Sequence, residues 1–466
     1  MRAASFEAAL YVFVMRLVLL VLALLVSACS MTPAYRRPAV ALPASFNGGA
    51  SGQATADAIW WQSFGSAELD GLVARSAAGN FDLRAAVARI DEARGKAEVA
   101  GASRYPTLDL GASMNQGIGA SGTRVQSVFL SASYELDFWG KNRAKAQSAA
   151  ALADASVFDA QTVELTLEAS VADTYLQLLA LDARLRLAKR VADEERQVLT
   201  LIEARAAGGI ASNVEVEQQK NALATVEAII PSLQTLLDQG VHQLAALSGE
   251  APESFHIDGG TLMDVSVPRV GAGLPAALLE RRPDIRAAEE RLISANFDIG
   301  AARAAFFPSF TLTAQGGIGS ASLADFFPPT AIATFVGGMT QPLFEGGRLE
   351  GQLRYDRAHA VELASTYRQT ILNSLRDVDD ALTATTRLNE LEIADQAAVD
   401  SARRASVLAR AQLEAGTADF LTVLTTERTE YQAEDALLQV RLQRLESAVG
   451  LFRALGGGFG TQRRTT

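Results

Sequence analysis

Among the residues that could do chemistry, Cys29 comes first because it is the only cysteine in 466 residues. A lone thiol cannot close an internal disulfide. It follows Leu17 to Val26, an unbroken apolar run of ten, and then Ser27-Ala28. Ten apolar residues are too few to span a bilayer but suit the centre of a secretory signal, with Arg2 and Arg16 as its positive charges and Glu7 between them. Val26-Ser27-Ala28-Cys29 reads as a bacterial lipobox, cut before the cysteine, whose thiol then takes a diacylglyceryl group. Two or three acyl chains, at roughly 0.8 kcal/mol per buried CH₂, hold a protein stably at a membrane. Residues 1–28 are therefore expected to be a lipoprotein signal peptide, starting at Met1 or at Met15, which directly precedes Arg16 and the apolar run. The lipid on Cys29 is the only covalent group expected, and no cofactor is.

The other reactive-looking residues have plainer readings. His242, His256 and His359 are isolated and lack metal-ligand spacing. Glu289-Glu290 and Asp379-Asp380 fall in helical stretches and read as solvated faces. Gly117-Ile118-Gly119-Ala120-Ser121-Gly122 spells G-x-G-x-x-G after a strand, yet Thr123-Arg124-Val125 leads into another strand, not the helix a dinucleotide site needs. Arg281-Arg282-Pro283-Asp284 is adequate as a helix start. No Ser/His/Asp or Cys/His set suggests nucleophilic catalysis, so the chain is not expected to be an enzyme. A formal charge of -11, a pI near 5.0 and lysine only at positions 96, 141, 145, 189 and 220 argue against nucleic acid as a partner.

The elements that carry these residues are written twice. Asp82 to Leu110 laid over Asp284 to Leu312 without a gap gives ten identities in 29 positions, among them Arg84/Arg286, Ala86/Ala288, Arg89/Arg291 and Pro106/Pro308. In both copies an Ala-rich helical stretch meets an aromatic-Pro step and emerges as alternating strand. Proline lacks an amide proton and biases its predecessor toward extended backbone, so Pro106 and Pro308 are expected helix-to-strand switches. Strands are expected at Thr107 to Gln116, Ser127 to Phe138, Phe310 to Ile318 and Ile332 to Phe344. In the second, Val128, Leu130, Ala132, Tyr134, Leu136 and Phe138 share one face, a period of two that suits a tilted transmembrane strand. Four strands cannot close a barrel in lipid, where every edge amide must be paired, so the chain is expected to oligomerise.

After each strand pair the sequence turns helical for a long way. Lys141 to Ala207 has neither Gly nor Pro across 67 residues, roughly 100 Å of helix at 1.5 Å per residue. Its seam of Leu167, Val171, Thr174, Leu178, Leu181, Leu185, Ala188, Ala192, Glu195, Leu199, Ile202 and Ala206 is apolar at ten of twelve positions, which predicts coiled-coil packing. Gly208-Gly209 ends it, and a return helix is expected from about Asn213 to Leu247. The second copy repeats this with Gln352 to Ala415, a turn at Gly416, and Asp419 to Leu455, the turns being offset by 207. The boundaries are thus an extended arm at 29–65 that wraps the helical body, a first repeat at 66–270 with its hairpin at about 106–139, a second at 271–458 with its hairpin at about 308–344, and a disordered tail at 459–466.

Several motifs resemble those of the TolC-like outer-membrane efflux factors, in the lipoprotein branch that includes OprM. They are Tyr134-Glu135-Leu136-Asp137-Phe138-Trp139-Gly140, the stretch from Leu278 to Glu289, Phe306-Phe307-Pro308, Pro342-Leu343-Phe344-Glu345-Gly346-Gly347 and Ala454-Leu455-Gly456-Gly457-Gly458. The resemblance implies a mainly α fold with a transmembrane β part. In it a coiled-coil α-barrel of twelve helices per homotrimer continues a twelve-stranded β-barrel, four strands per protomer. It further implies the outer membrane of a Gram-negative bacterium, a lipid anchor, a body extending into the periplasm, and a passive exit duct for drugs or other small toxic solutes. A periplasmic adaptor and an inner-membrane pump would dock on it. An exit duct for type I protein secretion and a structural coiled-coil lipoprotein are the alternatives.

In the resembling family, polar links between helices near the turns close the periplasmic end at rest. The acidic residue at the first turn matches Glu215, which can equally be a helix-start carboxylate favoured by the macrodipole. At the second turn the family often carries aspartates where this chain has Thr422 and Thr425, leaving Asp419, Glu215 and Glu217 as substitutes.

Overall fold

The computed structural model describes residues 31–46, 59–116, 124–271, 273–320 and 330–458. Cys29 and its leader, the 117–122 glycine motif and the 459–466 tail lie outside them. In chain order the main elements are α1 (Ala67–Gly79), α2 (Phe81–Ala102), β1 (Thr107–Gln116), β2 (Arg124–Leu136), α3 (Lys141–Ala207) and α4 (Asn213–Ser248). The second copy supplies α5 (Pro283–Ala304), β3 (Ser309–Ser320), β4 (Thr330–Thr340), α6 (Arg348–Glu414) and α7 (Phe420–Ala454). The chain divides into two compact units.

The first unit takes the chain up to Ala39 with Ala88–Val157 and Ala287–Arg368. It contains a four-stranded antiparallel sheet in the order β1-β2-β3-β4. β1 begins directly after Pro106, as expected, and β3 directly after Pro308, one residue before the expected Phe310. Before Pro106 the amides of Arg104 and Tyr105 donate to Gly101 and Ala102, and before Pro308 those of Phe306 and Phe307 donate to Arg303 and Ala304. The two switches are the same turn, 202 residues apart.

The second unit takes Val40–Val87, Phe158–Arg286 and Gln369 onward. Its core gathers Trp60, Phe64, Leu69, Leu72, Tyr175, Leu176, Leu178, Leu179, Leu244, Leu262, Leu445 and Phe452. Full burial of a Phe or Leu side chain contributes about 1.5–3 kcal/mol, so this cluster dominates the unit's cohesion. The seam on α3 is seated as its periodicity predicts: Leu167, Val171, Leu178, Leu185, Ala188, Ala192 and Ile202 are all buried. α4 carries Pro231 without ending there.

Several expected boundaries change: β2 starts at Arg124 and not Ser127, β3 runs Ser309–Ser320 and not Phe310 to Ile318, β4 starts at Thr330 and not Ile332, and α6 starts at Arg348 and not Gln352, running through Gly351. Trp60–Phe64 is a short 3-10 turn whose Trp60 is 1% exposed and stacks on Phe452 at 5.2 Å, so the arm stops short of it and these residues belong to the core. β2 ends at Leu136, not Phe138, because Asp137 turns back to accept the amides of Asn142 (3.1 Å) and Arg143 (2.7 Å) and so caps α3. β4 ends at Thr340, not Phe344, where Pro342 has no amide to give a ladder.

Candidate functional site

The sheet sorts its side chains by chemistry. Successive residues of a strand point to opposite faces, so the register fixes which residues share one. Pairing aligns Leu110, Leu130, Gly316 and Ala333 in one row, Leu108, Ala132, Ala314 and Phe335 in the next, and Leu136, Phe310 and Met339 further along. On the opposite face stand Asp109, Ser131, Gln315 and Thr334, then Thr107, Ser133, Thr313 and Val336, with the hydroxyls of Ser113 and Ser127 bonded at 2.8 Å. One face is apolar and strongly exposed at Leu110, Met114 and Phe335, and the other is mainly polar, with Phe129 and Val336 among its members. β1 and β4 each pair on one side only among the described residues. On the polar face Phe129 sits between Gly111 and Gly317, and a Cβ at Gly111 would meet its ring at 2.6 Å.

At the switch to strand, Trp139 stacks on Phe307 at 4.8 Å and donates its indole N–H to the Pro308 carbonyl at 2.8 Å. Phe138 meets Phe310 edge to face at 5.2 Å. Such rings, apolar in body and polar at the tip, suit the boundary between hydrocarbon and water.

The arm is clamped onto α5. Arg37 Nε donates to Glu289 Oε1 at 2.7 Å, and the Tyr35 hydroxyl donates to the same oxygen at 3.3 Å. One helical stretch on, Asn296 donates to the Pro33 carbonyl at 2.8 Å, and a Cβ at Gly300 would meet Thr32 at 2.3 Å. The expectation that Glu289 lies on a solvated face is therefore wrong: its side chain is 11% exposed and receives the arm. Sequence periodicity could not show this, because the covering chain comes from more than 250 residues away.

In the second unit the two helix turns share one backbone. Gly209 and Gly416 both have φ of 73°, a left-handed conformation that glycine adopts without steric cost. The amides of Ile210 and Thr417 then donate to Arg205 and Gln412. The caps that follow exchange roles. Ser212 accepts the Glu215 amide at 3.3 Å while Glu215 Oε2 accepts the Ser212 amide at 2.5 Å, a reciprocal capping box. In the second turn the carboxylate sits at the cap itself: Asp419 Oδ1 accepts the Thr422 amide at 2.8 Å and the Thr422 hydroxyl at 2.6 Å. Those bonds, the hydroxyl's first, hold the Asp419 carboxyl below its ordinary range. The difference between Glu215 and Thr422 is thus an exchange of hydroxyl and carboxylate between two equivalent positions. Glu217 pairs with Lys220 at 2.9 Å, and Thr425 donates to the Leu421 carbonyl at 2.7 Å. Beneath the turns Ile202, Val216 and Phe420 form one buried cluster that joins both hairpins.

Above that cluster runs a ladder of ion pairs that no sequence motif announced. Arg410 bridges Glu427 (2.6 Å) and Glu194 (3.2 Å), Arg190 and Arg403 converge on Glu434, and Arg184 takes Asp435 with two nitrogens at 2.6 and 3.1 Å. Arg441 and Arg444 both hold Glu392. Arg282 does more than start a helix: its guanidinium, 13% exposed, grips Asp284 twice (3.0 and 2.7 Å), Asp377 (3.4 Å) and the Ala454 carbonyl (3.1 Å), tying the ends of α5 and α7 to α6.

Comparison with known proteins adds an independent line. Residues 72–250 and 274–457 match the family model described as outer membrane efflux protein. The pyoverdine export outer membrane protein OpmQ of Pseudomonas aeruginosa is 39% identical over 457 residues, covering 95% of this chain and 96% of its own. The cation efflux system protein CusC of Escherichia coli K12 is 30% identical over 451 residues, covering 94% and 98%. Among solved structures, the outer-membrane channel OprN superposes with a TM-score of 0.87 at 28% identity, over 93% of this chain and all of that one.

Proposed function

This chain belongs to the outer membrane efflux protein family, and from that premise we propose that it is the outer-membrane exit duct of a tripartite efflux system, working as a homotrimer with a periplasmic adaptor and an inner-membrane pump. The observation that carries the reading is the sheet: one apolar face, one polar face and two one-sided edges. Open edges are not tolerated in lipid. Three copies joined β4 to β1 close a ring of twelve strands, and the polar face then lines the passage. The duct is passive, and its cargo is a small solute selected by the pump. Relatives named for pyoverdine export and for cation efflux support a wall that is indifferent to cargo.

The N-terminus is held at the outer membrane by lipid on Cys29. Thr32 packs on Gly300, near the end of α5 that leads to Pro308 and β3. Cys29 is three residues before Thr32 in the sequence, which supports an anchor on the membrane side of the arm. The resting closure is carried by the helix turns, with Glu215, Glu217 and Asp419 as their acidic groups and Thr422 and Thr425 in place of the family's aspartates.

Purified protein in detergent, measured by light scattering with the detergent mass subtracted, is expected at three times the mass of the chain that begins at Cys29, and in planar bilayers it should conduct. A stable monomer without conductance would sink the reading. Glu215→Ala should raise the single-channel conductance, and an unchanged value removes Glu215 from the gate.

A further inference from the structure

Gln219 on α4 is completely buried, and its amide is used unevenly. Its nitrogen donates to the Glu195 backbone carbonyl at 2.9 Å and to Glu195 Oε2. Its oxygen, Oε1, is buried with no partner. A buried acceptor without a donor has lost its water and gained nothing in return, and here it lies beside a carboxylate that is itself buried. The groups facing Glu195 are Glu194 on its own helix, Gln219 on α4, Arg410 on α6 and Glu427 on α7, with Glu430 beside Glu427. The one guanidinium in that set, Arg410, is engaged by Glu427 and Glu194. Glu195 therefore has an amide nitrogen as its bonded partner and other carboxylates nearby.

We propose that Glu195 and Gln219 form a proton-binding site inside the coiled coil. A proton taken from solvent onto the free oxygen of the Glu195 carboxyl is donated to Gln219 Oε1, while Gln219 Nε2 continues to donate to Oε2. The result is a cyclic acid–amide pair with every donor and acceptor satisfied. Loss of the proton reopens the orphaned oxygen and adds a negative charge next to Glu427. Burial, the largest cause, already pushes the Glu195 carboxyl up, and it does the same to Glu427. A carboxyl raised in the folded state stabilises the fold at low pH, and that contribution is lost as pH rises through the folded value. Rising pH therefore loosens the contact of α3 with α4. If the turns gate conduction, which rests on the function proposed above, the wild-type duct opens more readily at alkaline pH.

The test is infrared difference spectroscopy of the full-length protein in detergent, with carbon-labelled glutamate to separate its carboxyl band from those of aspartate. A protonated-glutamate band present in acid should disappear as the sample is titrated to alkaline pH. Glu195→Gln should remove most of it, while Glu194→Gln should leave it. Conductance followed over the same pH range should flatten in Glu195→Gln. Failure of all conduction with the band present would overturn only the duct reading. A wild type without the band, or a Glu195→Gln spectrum superimposable on wild type, overturns the proton site.

Discussion

Replacing Glu289 by alanine should release the N-terminal arm. The clamp is one charge-assisted bond from Arg37 at 2.7 Å and a longer one from Tyr35 at 3.3 Å, both to the same carboxylate oxygen. A bond to a charged group contributes about 1.5–3 kcal/mol, but the Arg37 side chain is 50% exposed, and water competes for it. About 1–2 kcal/mol is a realistic loss, which multiplies the detached population by about 5–30. Trypsin reads that population directly. Arg36 has an exposed side chain but lies within the clamped arm and fits a protease cleft only when the arm detaches, whereas Arg37 precedes Pro38 and is protected by it. When opening is fast compared with cutting, the cleavage rate follows the open fraction. Glu289→Ala should therefore be cut after Arg36 about 5–30 times faster than wild type, and Glu289→Gln should fall between. Gly300→Val should act in the same direction by displacing Thr32, without touching the ion pair. Equal cleavage rates in wild type and both variants would refute the clamp.

Other consequences follow from single positions. Arg282→Ala removes the buried cation that ties three helix segments together and leaves the Ala454 carbonyl without its side-chain donor; a loss of about 2–4 kcal/mol should lower the thermal unfolding temperature by several degrees. Gly317→Ala puts a Cβ 2.3 Å from the Val128 carbonyl oxygen, which the β2–β3 ladder cannot yield, so the variant should fail to give the heat-stable oligomer on semi-native gels. Asp173 has a buried oxygen without a partner, and desolvation first, then the Glu446 charge, raise its carboxyl to about 7. Stability from this group is present in acid and is lost as pH rises from about 4 through 7, so Asp173→Asn should weaken the pH dependence of unfolding in that window.

Periodicity and punctuation determined the element plan of this protein. The proline steps at 106 and 308, the Gly- and Pro-free stretch from Lys141 to Ala207, and the glycines at 209 and 416 are local signals, because backbone geometry and amphipathic repeat are set by neighbours in sequence. The capping box at Ser212 and Glu215 was equally local and could have been read from its Ser-x-x-Glu spacing. The last residues of β2 and β4 were local as well, but the alternation through Phe138 and Phe344 hid them: the Asp137 cap and Pro342 overrule it. Only the tertiary structure decided which charges matter. Glu289, Arg282 and Gln219 look like any polar residues, and Glu195, though on the predicted seam, gives no sign of what faces it; each is buried by residues from other elements. Burial is what separates a solvated charge from a clamp, a knot or a proton site, because the cost of removing a polar group from water depends on what covers it, and sequence spacing does not record that.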